Sequence, residues 1–464
     1  MAKQEIKKSR WQRVRKLFND IHLWLGLASG LIVIAVCFSG TVYVFNTELT
    51  EKAAPHLYKV QPVAGKERIP VDSLLEKVKQ EGGGAITGVT IPAELNRTYQ
   101  FNVKKAGEEG PRGGTTYFVN PYTGEITGNS KEKNGTKEFM GTMFSLHRWL
   151  LLDKVKKPII KGVENRKLGS MITGWATIIF TLGCITGLVI WFPQKVKYWR
   201  QGLKIKWNAG WKRINHDLHN SLAFYALIFL LLMGLTGPQW SFEWYRTGLQ
   251  KTLGTYKPAE GGKGEGRPGE AGRERREGGE RKEGEGRKEQ GGDAMAGKEV
   301  RGGEKTDSAT AKHEHAADTA AAVTTLAIAD YVREADKVLP YSGNYVITLP
   351  ADAKAKTMIT KTKLGFFAPA AGDRITMDPK TANIEKLDIF KKKPFNERVA
   401  GSIKAIHVGN VYGTFTKILY FIACLIATTL PITGTMIWLN KMKKKTKGKK
   451  EEPVVALTGD EKVA

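Results

Sequence analysis

Cysteine is nearly missing from this chain of 464 residues, which has three: Cys37, Cys184 and Cys424. They lie in three different hydrophobic runs and form no CxxC pair, which excludes a disulfide-framed domain and leaves no zinc or iron–sulfur signature. All three read as small buried hydrophobes. Acid is also in short supply, with 46 Asp+Glu against 73 Lys+Arg and a net charge of +27. A nucleotide-binding fingerprint is lacking as well, since the GxG strings within 257–322 have no flanking strand and helix. Charge-free length, by contrast, is abundant. Leu23–Phe45, Leu168–Phe192, Asn220–Phe242 and Ile418–Asn440 are uncharged runs of 23 to 25 residues. At 1.5 Å per residue each can cross a hydrocarbon core of about 30 Å. That excludes a soluble cytosolic enzyme.

The position of the basic residues decides what they mean. Segments 1–16, 192–214 and 441–450 carry seven Lys/Arg each, Glu5 is their only acid, and together they hold a net +20. All three abut expected spans, so the excess is a positive-inside signal and not a nucleic-acid footprint. Both termini and the middle loop are therefore expected in the cytoplasm. The first run is too long for a signal peptide and lacks a small-residue cleavage site, so it reads as a retained anchor.

The expected order is a basic N-terminus (1–22), a span (23–45), an exported domain (46–138), a membrane-surface helix with its connector (139–167) and a second span (168–192). A basic loop (193–215), a third span (216–242), a second exported domain (323–400), a fourth span (412–440) and a tail (441–464) follow. In the first exported domain, a helix at Val71–Gln80 precedes strand-like runs at Ile86–Ile91, Thr98–Val103 and Thr115–Val119, then a turn at Asn120-Pro121. The second repeats that order with a helix around Leu326–Val338, strands at Tyr345–Leu349, Thr357–Thr362 and Ile375–Met377, and a turn at Asp378-Pro379. Each reads as a small α+β domain. Residues 257–322 are Gly, Glu, Arg and Lys with almost no apolar side chains, and read as a disordered insertion; His313-Glu314-His315 within it makes a poor metal site.

An internal duplication is visible. Asp20-Ile21-His22 recurs as Asp217-Leu218-His219, and Ser39-Gly40 as Thr236-Gly237, both offset by 197. Ile185-Thr186-Gly187 and Ile190-Trp191 recur as Ile432-Thr433-Gly434 and Ile437-Trp438, offset by 247. The fold class is thus a mainly α membrane protein with four transmembrane helices in two parallel repeats, each carrying an exported small α+β domain.

Five of the eight histidines lie at or near span ends. His22 and His219 sit toward the cytoplasmic side, and His147 and His407 toward the outer side. Ionisable residues at membrane depth are costly and mark function. Two imidazoles on separate helices make a poor zinc site but suffice as axial ligands of a six-coordinate haem. Small residues extend along the face from His22 (Gly26, Ser29, Gly30, Cys37, Gly40) and from His219 (Ala223, Ala226, Gly234, Gly237), as a macrocycle lying on a helix needs. Close helix packing explains such glycines equally well, but not the histidines. His216, three residues before His219, is the alternative ligand. Arg148, Lys404 and Arg213 are candidate propionate partners, or ordinary interfacial charges.

Asp20-Ile21-His22-Leu23-Trp24-Leu25-Gly26-Leu27, Asn120-Pro121-Tyr122-Thr123-Gly124-Glu125, Leu146-His147-Arg148 and Ile185-Thr186-Gly187-Leu188 resemble the PepSY-associated transmembrane family. The resemblance spans nearly the whole chain outside the insertion. It departs in the second half at Asn220-Ser221-Leu222-Ala223 and at the Asp378-Pro379 turn, which lacks its glycine. Members include bacterial inner-membrane ferric-siderophore reductases with b-type haems between their helices. The resemblance therefore implies a multi-pass inner-membrane protein with two periplasmic PepSY-like domains. It further implies two haem b groups held by His22, His219, His147 and His407, and electron transfer from a cytoplasmic or membrane donor to a ferric siderophore or other ferric chelate. Two other classes stay open: a membrane-anchored PepSY module that binds a peptidase or peptide without redox activity, and a transporter. Against the transporter, the repeats are parallel and Pro238 and Pro431 are the only candidate helix breaks.

Overall fold

In a computed structural model of the chain, the described residues are 9–105, 107, 114–193, 195–258, 326–350 and 355–450, with side chains to 443 apart from that of Val196. The expected disordered insertion, with His313 and His315, lies almost wholly outside them, as do the first eight residues and the last fourteen.

Four helices are long and apolar enough to cross a membrane: α1 (Arg10–Tyr43), α6 (Asn165–Trp191), α7 (Trp211–Thr236, continuing as a 3₁₀ turn to Trp240) and α12 (Gly413–Lys450). Between them come α2 (Asn46–Ala53), α3 (Pro55–Tyr58), α4 (Val71–Gly82), α5 (Gly135–Trp149), α8 (Glu243–Thr252), α9 (Ile328–Val338), α10 (Phe395–Gly401) and α11 (Ile403–Val408). Helix α1 begins thirteen residues before the uncharged run, because a capping box of Ser9 and Gln12 starts it. At the other end, α12 continues past Asn440 to Lys450, so the basic segment there is helical. Where the four helices meet, Ala226, Leu230, Ala423 and Ala427 are buried, with Cys37, Cys184 and Cys424 packed around them as free thiols.

The strands are β1 (Ala85–Ile91), β2 (Tyr99–Lys104), β3 (Thr115–Val119), β4 (Ile126–Asn129), β5 (Gly343–Thr348), β6 (Thr357–Lys363), β7 (Asp373–Met377) and β8 (Ile384–Asp388). They do not form two separate sheets. All eight join in one antiparallel sheet ordered β4-β3-β2-β1-β5-β6-β7-β8. The seam is β1 against β5, registered from Gly88 opposite Thr348 to Ile91 opposite Tyr345. Alternation along the strands puts Val89, Phe101, Val103, Ile347, Ile359 and Ile375 on one face, under Leu74 and Val78 of α4 and Ile328, Tyr331 and Ala335 of α9. The two helices are tied as well: Asp72 of α4 accepts from the N–H groups of Ile328 (2.6 Å) and Ala329 (3.0 Å), capping α9 from 256 residues away. Edge strands β4 and β8 escape the alternation signal because neither buries a clear face.

Lys361 is buried to 1% exposure in this core. Its Nζ donates to Asp336 Oδ1 (2.6 Å) and to the Leu339 carbonyl (2.7 Å), between the rings of Tyr341 and Tyr345. Burial and the bonded Asp336 carboxylate push the Tyr345 phenol well above its usual range.

Candidate functional site

Four histidines meet in two pairs. The rings of His22 (α1) and His219 (α7) lie 6.4 Å apart, centroid to centroid, at 76° to one another. Those of His147 (α5) and His407 (α11) lie 6.1 Å apart at 62°. On α1, His22 and the residue that touches His147, Gly40, are separated by eighteen residues, about 27 Å along the helix. His219 and Gly237, which touches His407, have the same spacing on α7. The pairs therefore stand at two well-separated depths.

Each ring is held by a Ser/Thr-Gly dipeptide on a neighbouring helix. His22 Nδ1 is 3.0 Å from the Gly183 carbonyl and 3.1 Å from Thr186 Oγ1, and a Cβ on Gly187 would lie 3.1 Å from its Cε1. His219 Nδ1 is 2.9 Å from Thr433 Oγ1, with Gly434 against Cε1 at 3.3 Å. For His407 the pair is Thr236 (3.0 Å) and Gly237 (3.4 Å). For His147 the acceptor is the Val36 carbonyl (2.9 Å), to which Ser39 Oγ also donates (3.0 Å), and Gly40 meets Cε1 at 3.2 Å. The reason for the pairing is steric and electrostatic together. The glycine lets the imidazole reach the helix surface, and the hydroxyl or the carbonyl one turn earlier then meets its Nδ1.

A carbonyl can only accept, so Nδ1 of His22 and of His147 carries the proton and Nε2 keeps its lone pair. Nδ1 of His219 and of His407 each meets a threonine hydroxyl that is also within hydrogen-bond distance of carbonyls of its own helix. Burial lowers the pKa of His147 and His407, holding them neutral; for His407 the neighbouring His147 and Arg148 add to it, bringing the value to about 3.

Helix α5 delivers His147 through a strained end. Asn134 caps its start, and Leu150 and Leu151 close it at φ 53° and 62°, a region costly for leucine. Thr173 Oγ1 donates to the Arg148 carbonyl (3.0 Å), and the absent side chain of Gly169 lets α6 lie on the Trp149 backbone. The expected surface segment 139–167 is thus a helix that starts at Gly135 and ends at Trp149, docked on α6.

The other candidates separate cleanly. His216 is half exposed, lies beside Asp217 and bonds Asn220, facing no second histidine. Arg213 is engaged by Asp217 at 2.8 Å. Arg148 donates to the Trp240 carbonyl (3.3 Å), and the Trp240 ring, unmarked by the sequence reading, packs 4.8 Å from His407. The small face expected around His22 is divided differently: Gly40 serves His147, Gly30 meets Pro431, and Gly26 faces open space. Gly237, expected beneath His219, serves His407. The roles of Thr186, Thr236 and Thr433 were also missed; their only signal was the repeated Thr-Gly text.

Among the described residues no group of three or more His, Cys, Asp or Glu stands at metal-binding spacing, which disfavours a zinc-type centre. Paired imidazoles 6.4 Å and 6.1 Å apart, centroid to centroid, would suit a group that takes one ring nitrogen from each of two histidines.

Four apolar helices, two of them carrying one histidine pair while the short helices α5 and α11 carry the other, together with a separate antiparallel sheet, define a multi-helix membrane protein. The family model described as PepSY-associated TM region matches residues 20–441, and the chain belongs to that family. A search of curated proteins found no match.

Proposed function

We propose that the chain is a haem-carrying transmembrane oxidoreductase of the bacterial inner membrane that reduces a periplasmic ferric chelate, a ferric siderophore being the leading substrate, for iron uptake. The observation that carries this reading is the pair of 6.4 Å and 6.1 Å imidazole separations, each ring with Nδ1 turned to a hydroxyl or carbonyl of a neighbouring helix. His22 and His219 would hold one haem b, His147 and His407 a second. Haem b with two imidazole ligands supplies a six-coordinate iron suited to single-electron exchange.

The rest belongs to the protein. Nine residues hold the imidazoles in place: Gly183, Thr186, Val36, Thr236 and Thr433 present a carbonyl or hydroxyl to Nδ1, and Gly40, Gly187, Gly237 and Gly434 make room for the rings. All four imidazoles are partly buried, which lowers the dielectric around them. The two depths divide the crossing between a cytoplasmic or membrane donor and the external chelate. There Fe(III) takes one electron and becomes Fe(II), for which hard siderophore oxygens are poorer ligands. On this reading the basic segments support a cytoplasmic location for both termini and the α6–α7 loop, with the sheet in the periplasm.

The test is an oxidised and reduced absorption spectrum of detergent-purified protein, with haem quantified per chain. About two low-spin b-type haems are expected. A colourless protein made with ample haem would instead favour a PepSY regulatory module that binds a peptidase or peptide.

A further inference from the structure

Between Trp191 at the end of α6 and Trp211 at the start of α7 the chain carries Lys195, Lys197, Arg200, Lys204 and Lys206, and no acid. The 3₁₀ segment Val196–Leu203 within it is bonded to α6 and α7 at its C-terminal end. Ser221 Oγ donates to the Gly202 carbonyl (3.0 Å), Trp191 Nε1 to the same carbonyl (3.3 Å), and the Tyr225 hydroxyl to the Leu203 carbonyl (3.2 Å). Trp191 also stacks on Phe224 at 3.8 Å and 16°. Ser221 and Tyr225 lie ten and fourteen residues into α7, about 15 to 21 Å along it. They fall just inside the uncharged run that opens at Asn220. The basic segment is therefore folded back along the helix to the depth at which the apolar span begins.

Aromatic rings are exposed among these cations. Tyr198 (43%), Trp199 (41%) and Trp207 (65%) stand open, with Lys197 over the Tyr198 ring at 5.2 Å and Arg200 over Trp199 at 5.7 Å. Tryptophan and tyrosine settle in the headgroup zone of a bilayer, and clustered cations there attract anionic lipid. The nearest acid on α7, Asp217, is already taken by Arg213. An acidic protein partner would be met by cations standing clear of the membrane; these are held at its surface.

We propose that residues 195–207 form a binding site for anionic phospholipid, gripping phosphate headgroups around α7 beside the turn that carries His219. The site depends on the membrane and not on any cofactor.

The experiment is native mass spectrometry of the full chain in uncharged detergent, offered equal amounts of phosphatidylglycerol and phosphatidylcholine with matched acyl chains. Phosphatidylglycerol should be retained in about tenfold excess or more, and the excess should shrink as ionic strength rises. Combined K197Q, R200Q and K204Q should abolish the preference, whereas K197R with K204R should keep it. Combined K441Q, K443Q and K444Q, which removes as much basic charge elsewhere, should leave it intact. Inorganic phosphate should displace no more lipid than sodium chloride does at the same ionic strength. Because loss of basic charge can invert a span, protease protection checks the triple variant's orientation. If the orientation has changed, the salt dependence of the unaltered protein decides. Equal retention of the two lipids, an unchanged preference in the correctly oriented triple variant, equal loss in the tail variant, or displacement by free phosphate beyond that of sodium chloride would each overturn the site. An acidic protein that copurifies only with the unaltered chain, alongside no lipid preference, would assign the surface to that protein instead.

Discussion

Thr433 Oγ1 lies 2.9 Å from His219 Nδ1 while donating its own proton to the carbonyls of Thr429 and Leu430, both at 3.1 Å. One hydroxyl thus links the helix backbone to the imidazole and fixes which ring nitrogen faces the neighbouring helix. Thr236 and His407 repeat it at the other depth. An orienting partner of this kind typically contributes 10- to 100-fold in metal affinity, roughly the range expected for an axial histidine here.

Thr433→Val keeps the volume and removes the acceptor. It should weaken haem retention at the His22–His219 layer by about tenfold or more, shift that layer's midpoint potential and leave the other unchanged. Thr433→Ser should restore both. A redox titration followed by absorption, resolving two components, checks this. If Val and Ser variants titrate like the parent, the hydroxyl has no orienting role.

The glycines give a second, steric prediction. A methyl at Gly187 would sit 3.1 Å from His22 Cε1, tighter than ordinary contact, while one at Gly26 would meet nothing within 4 Å. Gly187→Ala should therefore displace the His22 ring by a few tenths of an ångström and cut the inner-layer haem content about tenfold, since ligand placement is intolerant of such shifts. Gly26→Ala should be silent. Haem per chain after purification separates the two.

What the sequence disclosed follows from the range of each signal. His22 and His219 were legible because each directly precedes an uncharged run, and the offset of 197 chose His219 over His216; His407 and still more His147 stand farther from theirs and were less marked. The Thr-Gly dipeptides were visible as repeated text, but their task depends on which helix lies alongside, and Gly40 serves α5 instead of its own His22. Pairing between helices is not a periodicity. The same limit hid the β1–β5 seam, where Val89 meets Ile347 across 258 residues: alternation says which face a strand buries, not which edge it offers. Leu150 and Leu151 at positive φ were illegible for the opposite reason, since local preference argues against them and docking on α6 prevails.

The sheet offers a test independent of any cofactor. Lys361 is buried whereas its partner Asp336 is half exposed, at 1% and 54%. Removing the acid strands a charge in the core, at a cost of about 3 kcal/mol or more, while removing the lysine lets the acid return to water. Asp336→Ala should thus lower the thermal midpoint markedly and Lys361→Met much less. Circular dichroism in detergent checks the order; the reverse order would mean that the Leu339 carbonyl and the two tyrosine rings suffice to hold the ammonium.

The prediction on which function depends concerns the histidines themselves. If each pair holds one haem, His22→Ala and His219→Ala should each leave about one low-spin haem per chain, as should His147→Ala and His407→Ala. The remaining spectrum should differ between the two groups, because the surviving layer differs. His216→Ala should keep both, since its ring faces Asn220 and no second imidazole. Electron flow from an internal donor to an external ferric chelate should stop in all four single variants, because both depths belong to one crossing. Chemically reduced His22→Ala protein should still reduce the external chelate through the intact outer layer. Equal haem content in His22→Ala and the parent would overturn the ligand assignment. Full haem loss from every single variant would instead mean that the layers fold as one unit, and the ferric-chelate assay on chemically reduced protein would then have no layer left to read.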